Sequence, residues 1–175
     1  MAEQTHTMLR YFDSINLKYT VNKGGWYDYE IANFQYIASS GTLDVSVHYN
    51  KDCTVFSVTA MNQTTLNAEH YEEVLWLANK ANMRSKFSFM IVGDIIEEEG
   101  KFYTWCSCSN AADSGPGDVA IDAMIRNTCD MVEIYYPALM KINWGEKTAK
   151  EALASLYPDD DDDGSVSPPP IDGYQ

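Results

Sequence analysis

The sequence predicts an α+β fold in which helices pack on a curved antiparallel sheet. Two observations lead to this prediction. Apolar residues recur at helical spacing in three separate stretches, and they alternate with polar residues in the segments between them. The predicted order is helix, three antiparallel strands, helix, two strands, helix. A chain of 175 residues has the length of one domain with a sizeable core.

A short amphipathic helix comes first in the chain, and its apolar residues are Met8, Tyr11, Phe12 and Ile15. In residues 26–31 the odd-numbered side chains are aromatic or apolar, and two of the three even-numbered ones are acidic. This alternation predicts a half-buried strand. We expect Tyr27, Tyr29 and Ile31 on its buried side, and Trp26, Asp28 and Glu30 on its wet side. Residues 43–49 and 53–61 then form a predicted hairpin.

The central helix follows Asn67, which can accept a hydrogen bond from a free backbone amide and so cap the helix. A second hairpin is predicted over residues 86–108, with polar turn residues between its strands. The last long helix begins near Asp118. Pro137 lies within it, removes a backbone hydrogen bond at a cost of roughly 3 kcal/mol, and predicts a kink or a split.

The central helix ends in the segment Leu75-Trp76-Leu77-Ala78-Asn79-Lys80-Ala81-Asn82. With the hairpin over residues 86–108 and the order of elements, this asparagine pair resembles the YbjN-like domain family, which shares the fold of type III secretion chaperones. The likeness covers about residues 8–143. It implies a non-enzymatic interaction domain, often dimeric, in a family labelled as candidate sensory-transduction regulators. The related chaperones hold an unfolded segment of a client protein.

The charge balance is strongly acidic, with 26 Asp and Glu against 12 Lys and Arg and a net charge of −14. Such a field repels phosphate backbones and anionic lipid headgroups, so nucleic acid and membranes are excluded as expected partners. It attracts a basic or amphipathic segment of another polypeptide. Acidity also keeps proteins soluble, and that reading stays open beside the first.

The candidate chemistries are weaker than this binding hypothesis. Cys106 and Cys108 fall on one side of a predicted strand and supply half of a soft-metal site, but no second Cys or His pair stands at ligand spacing. The three histidines (His6, His48 and His70) are isolated in sequence. We therefore predict no enzyme, no metal site and no cofactor, with a metal-responsive or small-molecule regulator and an unrecognised enzyme as the alternatives.

Composition changes abruptly at residue 158, where the chain continues into five aspartates (159–163) and then three prolines (168–170). The sequence thus predicts one domain over residues 1–157 and an acidic, proline-rich flexible tail over residues 158–175. The aspartate spacing imitates the opening of a calcium loop, but Pro170 stands where the closing glutamate is needed. We expect truncation after Tyr157 to leave the melting temperature within a few degrees.

The leading hypothesis is a cytoplasmic, homodimeric module that holds or regulates another polypeptide. No basic and apolar leader sequence is evident, and the cysteine spacing is not that of a disulfide framework, which favours a reducing compartment. Aromatic residues are abundant, and amphipathic rings suit contact sites. The predicted partner-binding residues are Trp26, Asp28, Glu30 and Trp105.

Overall fold

The structure is a computed structural model that describes residues 7–23, 29–50, 54–111 and 116–158. Four α-helices and eight strands make up this part of the chain. In order they are α1 (Thr7–Ser14), β1 (Thr20–Lys23), β2 (Tyr29–Ala38), β3 (Gly41–Asn50), β4 (Val55–Asn62), β5 (Leu66–Asn67), α2 (Tyr71–Arg84), β6 (Phe89–Val92), β7 (Lys101–Phe102), β8 (Thr104–Ala111), α3 (Asp118–Asn143) and α4 (Ala149–Leu156).

Six strands form one antiparallel sheet in the order β1-β2-β3-β4-β8-β6, and β5 pairs with β7 in a separate short ladder. The predicted α+β class is confirmed. The described chain differs from the prediction in having four strands of the main sheet before α2 instead of three, because β1 adds an outer strand to β2. Its four residues are all exposed, so they lack the apolar alternation that identified the other strands.

The helices pack on one face of the main sheet. In β3 and β4 every second side chain is buried, and these side chains belong to the same core as the inner faces of α2, α3 and α4. Helix α3 contacts β4 and β8 near the middle of the sheet, and α2 contacts the outer strand β6. The largest fully buried side chains include Tyr49, Phe12, Phe56 and Phe102.

Pro137 does not split the last long helix. Helix α3 runs from Asp118 to Asn143 with the proline inside it, so of the two predicted outcomes, a kink or a split, the split does not occur. Side chains on both sides of the proline are buried, among them Tyr135 at 3% exposure and Leu139 at 4%. Burial of this apolar side against the core outweighs the roughly 3 kcal/mol that an internal proline costs.

Asn67 does not cap the central helix as predicted; its side-chain amide donates to the Asn143 carbonyl at 3.4 Å instead. A short 3-10 turn, Ala68–His70, precedes α2, and Asn67 makes no side-chain cap to it. The backbone amide of Asn67 instead donates to the Oδ1 atom of Asn143 at 2.7 Å. Asn67 therefore ties the start of α2 to the end of α3.

Glu133 of α3 clamps the turn between β2 and β3 to the helix layer. The backbone amide of Ser39 donates to its Oε1 atom at 2.7 Å, and the Ser39 hydroxyl donates to the same oxygen. These two hydrogen bonds hold the pKa of Glu133 below its ordinary value of 4.5, and the bond from the Ser39 hydroxyl has the larger effect. Because the pKa of Glu133 is lower in the folded than in the unfolded protein, its charge stabilises the folded state at pH values above the unfolded pKa. This stabilisation is lost as the pH falls through the folded-state pKa.

We therefore expect Glu133→Gln to lower stability at pH 7 and to have a shrinking effect as the pH falls below 4.5. Urea unfolding of both proteins at pH 7 and pH 3 measures this difference. The same change at Glu72, an exposed residue of α2, is the control. A Glu133→Gln effect that is equal at both pH values would contradict the charge-dependent clamp.

Candidate interaction surface: the open face of the sheet

In the described part of the chain, no element covers the face of the main sheet opposite the helices. Strands alternate, so the neighbours of each buried residue point to this other face. None of the described β2, β3, β4, β6 or β8 side chains on it is buried; all are half-buried or exposed. We call this surface the open face.

The open face is almost free of charge. Its central residues are small or neutral, namely Asn33, Gln35, Ser46, His48, Ser57, Thr59, Ser107 and Ser109. Asp44 is the one carboxylate among the described residues of this face, and burial lowers the pKa of His48 and so favours its neutral form. In a chain with a net charge of −14, so neutral a surface differs from the solvated remainder. Depletion of charge is what distinguishes the centre of a protein interface.

Apolar side chains gather at the β6 end of the open face. Phe89 and Ile91 of β6 are 52% and 37% exposed, and Phe87, just before the strand, is 63% exposed. Ile91 stands opposite Trp105 of β8 in the ladder. We call Phe87, Phe89, Ile91 and Trp105 the apolar strip. Contiguous exposed apolar groups of this kind mark interaction sites more often than scattered ones do.

The position of the Trp105 ring depends on a glycine. A Cβ atom on Gly93 would lie 2.9 Å from Cζ3 of Trp105 and 3.2 Å from the backbone oxygen of Tyr103. The absence of a side chain at residue 93 lets the edge of the indole approach the backbone just after β6. The strip therefore presents a half-buried aromatic ring beside three exposed apolar side chains, Phe87, Phe89 and Ile91.

The outer edge of β6 is capped by a side chain of α2. The Asn82 carboxamide accepts from the backbone amide of Met90 at 2.7 Å and donates to the Met90 carbonyl at 2.9 Å. It thus supplies the two hydrogen bonds that a neighbouring strand would make. Addition of a further strand to a sheet edge needs these same groups. A partner at this end must bind through side chains of the open face.

The predicted partner-binding residues fare differently. Trp105 lies on the face opposite Cys106, as predicted, and belongs to the apolar strip. Glu30 lies on the helix-covered side, because it pairs with the buried Tyr49 and shares its side of β2 with Ala32. The predicted orientation of this strand is therefore wrong. Trp26 and Asp28 lie outside the described residues.

Phe89 and Ile91 were missed as site residues. Their alternation with Ser88 and Met90 is visible in the sequence, and it predicts the strand. Both sides of that strand are apolar, however, so the pattern does not tell which one the helices cover. The structure buries Met90 at 3% exposure and leaves the aromatic side open.

The described cysteines are poor candidates for metal or redox chemistry. Cys106 and Cys108 lie on the covered side of β8, and Cys129 of α3 is 0% exposed. Burial raises the pKa of the Cys106 thiol to about 12, with a smaller effect of Cys129, and it also raises the pKa of Cys108. Metal ions and oxidants react with the thiolate. In the part of the chain that the structure describes, no three His, Cys, Asp or Glu side chains are grouped to hold a metal ion.

A cavity in the interior of the described chain is small. A cavity of about 20 Å³ lies between α3 and the sheet, lined among others by Met90 and Cys106, which is space for about one water molecule. A shallow polar depression of about 300 Å³ lies at one end of the open face, between Gln35 and Gln63. Its polar groups bond to one another; Gln63, for example, donates to Asp44.

Comparisons with known proteins give a structural match and no sequence match. No protein-family model matches the chain, and no curated protein does so. Among solved structures, it is similar to the crystal structure of YbjN, described as "a putative transcription regulator from E. coli", with a TM-score of 0.51. The match covers 80% of this chain and 89% of that one at 9% sequence identity. The chain has a YbjN-like fold.

The YbjN-like fold confirms the resemblance that the asparagine pair and the order of elements indicated. At 9% identity the likeness concerns the fold alone, so the open face and the apolar strip stand on this chain's own geometry. Among the described residues of this YbjN-like chain, no helix combines the length and the apolar character needed to cross a membrane.

Proposed function

We propose that this chain is a non-enzymatic, cytoplasmic binding module that holds or regulates another polypeptide on the open face of its sheet. The observation that carries the proposal is the apolar strip at the end of a nearly uncharged face, in a protein that is otherwise strongly acidic. Burying such a strip contributes about 25 cal/mol per Å² before the costs of ordering.

Charge around the open face selects the partner. The net charge of −14 steers basic segments toward the protein and slows the approach of acidic ones. The neutral face itself then admits apolar and uncharged side chains without burying an unpaired carboxylate. An amphipathic segment, apolar on one side and basic on the other, satisfies both conditions.

Ile91→Ser tests this function because it removes one apolar side chain from the strip. Loss of a buried isoleucine costs roughly 1.5–3 kcal/mol, so we expect polypeptide binding to weaken about ten- to hundredfold. The matched control is Ile37→Ser, an 86% exposed isoleucine on the same face, three strands from the strip. Quantitative mass spectrometry of polypeptides retained by the three proteins at low salt, followed by titration of the retained species, measures the effect.

Equal retention by Ile91→Ser and the unchanged protein would contradict the proposed function, as would the retention of no polypeptide at all. Homodimerisation is part of the proposal, and sedimentation equilibrium tests it directly against the chain mass of 19.7 kDa. A single species at the monomer mass over the micromolar range would remove that part and leave the binding site intact.

A further inference from the structure

We propose that the acidic, proline-rich residues after Pro158 bind the apolar strip of their own chain and compete there with the partner. The inference rests on the proposed function in one respect, that the strip is the partner's site. In this proposal, a segment of the same molecule regulates that site by occupying it. Four features of the described residues and the sequence carry it: where the body ends, which charges stand there, how far the remaining chain reaches, and what the strip consists of.

The described chain ends beside the C-terminal end of α2. Helices α2 and α4 lie side by side and run in the same direction, since the Ala149 amide donates to the Glu73 carboxylate near their starts. Near their ends the guanidinium carbon of Arg84 lies 5.1 Å from the centre of the Tyr157 ring. The described chain therefore ends next to Arg84, the last residue of α2.

Two cationic side chains lie near the end of the described chain. Arg84 is half-buried against Tyr157, and Lys86, two residues further along the chain, is exposed. In the sequence, five aspartates at 159–163 follow directly after the end of the described chain. Attraction between the run and this pair directs the segment from the end of α4 toward the turn that leads into β6.

The segment is long enough to reach the strip. Five residues separate Arg84 from Phe89, a distance of at most about 18 Å in extended chain. From Pro158 to Pro168 there are ten residues, which span roughly 30 Å in a polyproline-type conformation. The prolines can thus pass around the β6 edge, where Asn82 caps the backbone, and reach Phe89 on the open face.

The strip has the chemistry that binds such a segment. Proline-rich chains dock on surfaces lined with aromatic rings and lose little conformational entropy in doing so. The strip offers two exposed phenylalanines and a fixed tryptophan ring. The sequence that reaches it contains three prolines followed by Ile171 and Tyr174. Most of its charge is in the aspartate run at 159–163, and Asp172 stands between Ile171 and Tyr174.

Methyl NMR of the full-length protein tests the docking. At 19.7 kDa the isoleucine methyl groups are resolvable, and we expect nuclear Overhauser contacts between Ile171 and the Phe89 or Trp105 ring protons. Replacing the three prolines 168–170 with serine in the full chain should abolish these contacts and shift the Ile91 methyl signal. Lys86→Ser should weaken them strongly, whereas Lys150→Ser, the same change at the far end of α4, should not.

The same NMR measurement on a mixture of isotope-labelled and unlabelled chains distinguishes a strip occupied by the tail of its own chain from one occupied by a second copy. Contacts that persist within one labelled chain in the mixture support the proposal, and contacts that arise only between chains overturn it in favour of a second copy. Absence of any contact, or an Ile91 signal that the proline variant leaves unmoved, also overturns it.

Partner binding is the second readout. The proline variant should bind the polypeptide found with the unchanged protein about tenfold more tightly. A short tether gives the tail an effective concentration near millimolar at the strip. Removing that competitor gains about tenfold when the dissociation constant of the tail for the strip is about a tenth of this concentration. Unchanged partner affinity overturns the competition. Intramolecular contacts without any polypeptide partner would refute the proposed function and leave the docking established.

Discussion

Asn82→Ala should lower the free energy of unfolding by about 3 kcal/mol, because it leaves two buried backbone groups of Met90 without partners. Each unsatisfied buried donor or acceptor costs about 1–3 kcal/mol. For a chain of this length the melting temperature should fall by roughly 6–12 °C. Thermal and urea unfolding monitored by circular dichroism measure both quantities.

Asn79→Ala is the matched control for this prediction. Asn79 is the same residue type in the same helix, but it is exposed, and alanine is the better helix former, so stability should stay level or rise slightly. Asn82→Asp adds a second test, since a carboxylate still accepts from the Met90 amide but no longer donates to its carbonyl. Equal effects of alanine at residues 79 and 82 would show that the carboxamide does not cap the strand.

Phe12→Ala should destabilise the protein by about 3–5 kcal/mol, the range for removing a fully buried phenylalanine. Its ring is 0% exposed and lies 5.5 Å, centre to centre, from the rings of Tyr19 and Phe34. The loss of this side chain opens a cavity between α1 and the β2 strand. Denaturant unfolding measures the change in the midpoint.

Ile15→Ala is the control in the same N-terminal segment, because Ile15 is 51% exposed. Exposed substitutions away from special features usually change stability by about 0.5 kcal/mol or less. If Phe12→Ala were no more destabilising than Ile15→Ala, α1 would not be part of the cooperative fold.

The class of the fold was predictable because periodicity is a local property. Alternation identified β3 and β4, and helical spacing identified α2 and α3. Orientation was harder. In β2, the residues around Glu30 alternate equally well in either sense, and only the pairing with Tyr49 fixes which side is covered. The split that Pro137 could have caused does not occur for a related reason: the local cost of the proline is visible in the sequence, whereas the tertiary burial on both sides of it is not.

The candidate site was predictable in part. The orientation of Trp105 relative to Cys106 followed from strand geometry. The role of Asn82 did not, because a carboxamide that completes a strand edge depends on how α2 packs against β6, which no spacing rule reports. The asparagine pair carried the resemblance to YbjN-like domains, yet only Asn82 bonds to the Met90 backbone, and Asn79 is exposed.

The Asn82 cap has a consequence for how copies of this chain can associate. A sheet with two free edges can add copies head to tail without end, and such growth produces filaments. With the β6 side closed at Met90, sheet extension in the described structure is left to β1, where the residues Thr20–Lys23 are exposed. Pairing of β1 with β1 is self-complementary and consumes both edges at once, so assembly along this route stops at two.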